Sequence, residues 1–196
     1  MLGLLKPSEG EVFVGDTPLS KIDQKAYRDQ IASVMQEDQL FAGSIIDNIT
    51  FFDTQADMES VANCACIAAI HHEIEAMPMG YNTLIGDMGT VLSSGQKQRI
   101  LLARALYKRP KILYMDEATS HLDVANEKKV NEALQHLNIT TVIIAHRPQT
   151  IASVERVIYL GPGGVKEARH QTQSVAVSAS PGRFGPAMQT PSHALP

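Results

Sequence analysis

The chain of 196 residues has room for one sizeable domain with its own core, and 44% hydrophobic with 19% charged residues is ordinary for a folded soluble protein. A formal net charge of -4 argues against the strongly basic surface of a nucleic-acid or anionic-membrane binder. No stretch approaches the roughly 18 consecutive apolar residues of a membrane span, and MLGLLKPSEGE lacks the basic start and long apolar run of a secretory signal.

In chain order, Leu2 to Leu5 reads as the tail of a helix stopped at Lys6-Pro7. Glu11 to Val14 alternates and Gly15-Asp16 turns, which predicts a small antiparallel hairpin. A short helix over Tyr27 to Gln30 and an apolar strand over Ile31 to Met35 follow, the strand ending at Gln36. FAGSIIDNITFF is a loop entering a short helix with Ser44 as N-cap. Met58 to Ile70 is a run of helix formers that continues after a break at Ile74 to Met77. It carries Cys64 and Cys66, too close together for an unstrained bridge and expected as buried or half-buried thiols. His71 and His72 lie nearby, with nothing in the sequence that pairs them as metal ligands.

Gln96 to Tyr107 is helical, with Ile100, Ala103 and Leu106 on one face. Lys111 to Met115 is a buried strand, Asn126 to Leu137 a helix, Thr141 to Ala145 a β-branched strand, and Arg156 to Leu160 a last strand. From Gly161 to Pro196 no helix or strand period is visible, and the proline- and serine-rich composition predicts a disordered tail or residues foreign to the domain.

Alternating strands and helices predict an α/β fold with a mainly parallel sheet, whose ligands lie beyond the carboxyl ends of the strands. Three strands end in polar groups there: Gln36, the pair Asp116-Glu117, and His146. An Asp closing a buried strand is the form that holds Mg²⁺ in phosphoryl-transfer sites, and an adjacent Glu suits a general base toward water. Ser93, Ser94, Gly95 and Gln96 open a helix whose free N–H groups make an anion site. The alternative for Ser93, and for Asp123 before the next helix, is a plain N-cap.

These residues resemble the nucleotide-binding domain of ABC transporters. LSSGQKQR is similar to the signature motif, ILYMDE to the Walker B strand with its catalytic Glu, SHLD to the D-loop, AHR to the switch histidine and MQED to the Q-loop. The resemblance covers Met1 to about Leu160, with a helical subdomain over about 40–92, and Gly86 to Gly89 falls at the loop that touches the transmembrane domain. Longer segments, such as MQEDQLFAGSIIDNITFF and DEATSHLDVANEKKVN, resemble colicin V-type bacteriocin exporters that carry a peptidase domain.

The resemblance implies ATP and Mg as ligands. Glu117 and His146 would be catalytic, and Asp116 and Gln36 would serve the metal. Gln36, Ser93, Ser94, Gly95, Gln96 and Asp123 would lie on the nucleotide. It implies a transmembrane exporter domain and a second ATPase domain, paired head to tail, as partners. Peptide cargo would be served indirectly, at the cytoplasmic face of a bacterial inner membrane. Two departures stand out. Ser94 replaces the first glycine of the signature pair, which puts a side chain toward the phosphate. No GxxxxGK[ST] occurs, so the fold is expected to lack the P-loop strand, as in a chain truncated before it. The competing expectations are a catalytically dead partner-binding module and an ABC ATPase outside transport.

Overall fold

The computed structural model describes residues 2–86, 92–118, 122–161 and 164–169. Asp87 to Gly89 of the expected membrane-domain contact loop, Ser120 and His121 of SHLD, and residues 170–196 of the expected tail lie outside them. The chain divides into two units, Met1–Ser153 and Val154–Pro196.

The first unit opens without a helix: residues 2–5 are irregular, with Leu4 and Leu5 exposed. Residues 2–5 do not take up the helical backbone expected of them, and Gly3 sits at φ 72° against the Tyr27 ring. The hairpin forms as β1 (Phe13–Val14) and β2 (Thr17–Pro18), with Gly15 supplying the positive φ of the turn. Asp23 caps α1 (Gln24–Asp29), which leads into β3 (Ile31–Val34). Next come β4 (Gly43–Ser44) and α2 (Ile45–Thr50). Ser44 accepts from the Asp47 N–H while the Asp47 carboxylate accepts from the Ser44 N–H, a reciprocal cap that starts α2 where the sequence placed it.

The helices α3 (Met58–Ile67) and α4 (His71–Glu75) follow, then β5 (Leu84–Ile85), antiparallel to β4. Cys64 is buried and Cys66 exposed, so only the first thiol matches the expectation for both. The long α5 (Ser94–Tyr107) leads to β6 (Ile112–Asp116), α6 (Val124–Gln135), β7 (Thr140–Ile144) and the short α7 (Pro148–Ala152).

The three strands β3, β6 and β7 form a parallel sheet with β6 in the middle. Ala32 and Val34 stand beside Leu113 and Met115 in register, and this face joins the core with α5. Ile100 and Ala103 are fully buried and Leu106 nearly so, as their shared helical face requires. Burying one side chain such as Ile100 contributes about 1.5–3 kcal/mol. Ile45, Ile49, Val61, Ala65, Ile70 and Ile74 complete the core from α2, α3 and α4.

In the second unit, β8 (Arg156–Gly161) pairs antiparallel with β9 (Gly164–Arg169). Arg156 makes two hydrogen bonds to Glu167 across the pair, at 2.9 and 3.1 Å. The loss of strand period that the sequence placed at Gly161 therefore does not extend to residues 164–169. Cross-strand pairing holds them where their own pattern is weak.

Candidate active site at the sheet edge

Because β3, β6 and β7 are parallel neighbours, their carboxyl ends share one edge, and Gln36, Asp116, Glu117 and His146 are delivered there together. Asp116 is the last residue of β6, paired in register with Ile144, and is half-buried. Glu117 follows with its N–H donating to the Ile144 carbonyl at 3.1 Å, which extends the β6–β7 ladder by one rung. Its φ of 49° turns the chain sharply and is uncommon for a residue with a long side chain. The Gln98 amide, one turn into α5, reaches the Glu117 carbonyl at 3.4 Å. Held this way, Glu117 Oε1 lies 3.5 Å from His146 Nε2. The histidine side chain is 84% exposed and the glutamate 29%, so the pair faces solvent and can be reached by a ligand. Gln36, two residues beyond β3, is exposed at the same end.

The loop that carries His146 is fastened from below. Arg147 donates to the Leu122 carbonyl at 3.2 Å and to Glu127 Oε2 at 3.0 Å, and the Thr150 hydroxyl donates to Glu127 Oε1. Glu127 and Thr150 are both buried, so this carboxylate on α6 fixes the turn between β7 and α7.

The turn before α5 is a second anionic-ligand candidate. Ser93 is its N-cap: its hydroxyl accepts from the Gln96 N–H at 3.2 Å and its N–H donates to Gln96 Oε1 at 2.9 Å. Ser93 and Ser94 are exposed and Gly95 is half-buried, while the Gln96 amide is further engaged by Glu73 at 2.9 Å. Arg99, almost wholly buried, donates to both Glu73 oxygens and to the carbonyls of Ala69 and Gly95. Burial pushes the Glu73 carboxyl up, but the hydrogen bonds from Arg99 and Gln96 and the Arg99 charge outweigh it and hold it below the usual carboxylate range. Asp123 caps α6, accepting from the Asn126 N–H at 2.9 Å and its side-chain amide at 2.8 Å; the backbone hydrogen bond leads in holding its carboxyl low. Its charge works against the lowering at Glu73.

Four charged residues that hold these segments were not singled out from sequence: Glu73, Arg99, Arg104 and Glu127. Arg104 donates to the Asn48 carbonyl at 2.8 Å, to Asn48 Oδ1 at 2.6 Å and to the Gln39 carbonyl at 3.1 Å, and stacks 4.9 Å from the Phe41 ring centre. It thereby pins the segment that follows Gln36. Its signal was present, since Arg104 stands one turn after Ile100 and hence on the apolar face of α5. A cavity of about 690 Å³ between β3, α2 and α5 is lined by none of the strand-end groups.

An acidic strand end in a parallel sheet, flanked by a capped helix, is an arrangement seen in phosphoryl-transfer sites of α/β proteins. The family model "ABC transporter" matches residues 1–120. Over 158 residues the chain is 51% identical to the probable microcin-H47 secretion/processing ATP-binding protein MchF of Escherichia coli, covering 81% of this chain and 23% of that protein. The colicin V secretion/processing ATP-binding protein CvaB of Escherichia coli gives the same identity and coverage. Among solved structures, a bacterial Atm1-family ABC exporter with ATP bound superposes with a TM-score of 0.72 at 35% identity, over 78% of this chain and 27% of that one. The chain belongs to the ABC transporter family and corresponds to the nucleotide-binding domain of its exporters. It spans about a quarter of the length of the curated bacterial relatives named above.

Proposed function

We propose that the chain forms the hydrolytic and signature-bearing part of an ATP-driven export motor. It works with a transmembrane domain at the cytoplasmic face of a bacterial inner membrane, and its cargo is a small bacteriocin-type peptide. The observation that carries this is the shared strand-end edge on which Glu117 meets His146 at 3.5 Å beside Asp116.

Glu117 accepts the proton of the attacking water, and His146 donates a hydrogen bond to the terminal phosphate. Asp116 and Gln36, both reachable by solvent and both oxygen donors at neighbouring strand ends, fit a Mg²⁺ that keeps part of its water shell. A Mg²⁺ held by Asp116 and Gln36 would supply charge neutralisation at the phosphate oxygens. Ser93 and Gly95 present a hydroxyl and an N–H toward the nucleotide of a second ATPase domain in a head-to-tail pair, with Ser94 beside them. Asp123 lies on the same side, at the contact between the two domains.

A chimera tests this reading. Residues 2–161 replace the homologous stretch of the colicin V secretion protein, and ATP hydrolysis and colicin V export are measured. Both persist if the motor reading holds, and Glu117→Gln abolishes hydrolysis. A folded chimera that hydrolyses ATP equally well with Glu117→Gln removes Glu117 as the base. Hydrolysis without export removes the peptide cargo and leaves the motor standing.

A further inference from the structure

The helix α4 carries a group of side chains that the strand-end chemistry does not use. His71 Nε2 lies 3.2 Å from Glu75 Oε2, and His72 Nδ1 lies 3.7 Å from the same oxygen. All three residues offer a ligand atom within 4.8 Å of the others. Ligands about 2.1 Å from a tetrahedral ion stand about 3.4 Å apart, a spacing that the two contacts bracket. The far nitrogen of His71 is occupied as well: Nδ1 lies 2.7 Å from the Tyr81 hydroxyl. The Tyr81 hydroxyl can donate to Nδ1 or accept from it, as the tautomer of His71 requires. An ion on Nε2 would leave the proton on Nδ1, donated to that hydroxyl, which is the outer contact of a metal-binding histidine.

We propose that His71, His72 and Glu75 form a binding site for a Zn²⁺-class divalent transition metal, with Tyr81 as the outer partner that orients His71. Two imidazoles and one carboxylate suit Zn²⁺, Ni²⁺ and Cu²⁺ rather than Mg²⁺ or Ca²⁺. The side chain of His72 is 94% exposed, so solvent fills the remaining position. Glu73, on the same helix between the ligands, grips Arg99 and Gln96 at the start of α5. A metal on α4 therefore also steadies the turn that carries Ser93 to Gln96.

The full chain, titrated with Zn²⁺ by calorimetry and with Co²⁺ by visible absorption, tests this. The expected result is one saturable equivalent, with tetrahedral Co²⁺ bands. Affinity falls at least tenfold in His72→Asn and in Glu75→Gln, both exposed positions whose replacement leaves the fold intact by circular dichroism. Tyr81→Phe, which keeps the ring, weakens binding by about tenfold or more. Cys66→Ser leaves it unchanged. Zn²⁺ raises the melting temperature of the parent and not that of His72→Asn. Equal affinity in parent, His72→Asn and Glu75→Gln overturns the proposal, as does binding that is lost with Cys66→Ser or with His146→Asn.

Discussion

Glu127→Ala removes the carboxylate on which the His146 loop rests. In the folded chain Glu127 is 4% exposed and accepts from Arg147 and from the Thr150 hydroxyl, itself 2% exposed. Taking one partner from a fully buried ion pair costs about 3–5 kcal/mol. The Arg147 side chain, however, is 40% exposed and rehydrates when released, so its share falls toward the surface value of about 1 kcal/mol or less. The Thr150 hydroxyl has no such escape, and an unsatisfied buried hydroxyl costs about 1–3 kcal/mol. Together the loss is about 2–4 kcal/mol, equivalent to a fall in melting temperature of about 10 °C for a chain of this size. Urea unfolding followed by far-ultraviolet circular dichroism measures it. A double-mutant cycle with Thr150→Val isolates the hydroxyl, with an expected coupling of about 1 kcal/mol or more. A loss below about 0.5 kcal/mol, the range of ordinary surface substitutions, refutes the claim that this network holds the loop.

The Glu73 clamp gives an acid-sensitive contribution. Its folded value lies below the ordinary 4.5, so the stabilisation is fully present above 4.5 and is lost as pH falls through the lowered value. The stability difference between the parent and Glu73→Gln should shrink as pH drops from about 6 to about 3; a difference that stays constant contradicts it. Ser44→Ala breaks the reciprocal cap on α2 and should cost about 1–2 kcal/mol in the same unfolding assay, with no loss counting against the cap. Residues 1–196 by themselves contain no phosphate-cradling motif, so at least two charge-assisted hydrogen bonds of about 1.5–3 kcal/mol each are missing from the nucleotide. Calorimetry with Mg-ATP on the isolated chain should therefore show no micromolar binding, and a dissociation constant near about 1 µM would overturn that.

What the sequence made visible was whatever one element decides alone. Ile100, Ala103 and Leu106 repeat at helical spacing, and Ser44 stands before Asp47, so their roles follow from a single segment. The parallel sheet was legible because strands and helices alternate along the chain, and the register of β3, β6 and β7 brings their polar ends to one edge. Contacts between distant segments were not legible. Arg99 meets Glu73 across 26 positions, and Arg104 meets Asn48 across 56. No periodicity announces such pairs. His71 and His72 drew notice as neighbours, but their partner Glu75 becomes one only when α4 winds a full turn. The strand β9 escaped because its pairing with β8, rather than its own composition, makes it a strand.

The backbone at Glu117 has a consequence for any attempt to improve this protein. A glutamate held at φ 49° carries a conformational penalty of about 1–2 kcal/mol that a glycine would not. Glu117→Gly keeps the N–H that donates to Ile144 and the carbonyl that Gln98 reaches, so the fold retains those contacts. Replacement by glycine, or by an asparagine tolerant of the left-handed region, is then favoured in a screen for soluble expression or heat resistance. Each such winner has lost the carboxylate opposite His146. If Glu117 is the base proposed above, selection for a hardier chain and selection for a working one pull in opposite directions at this position.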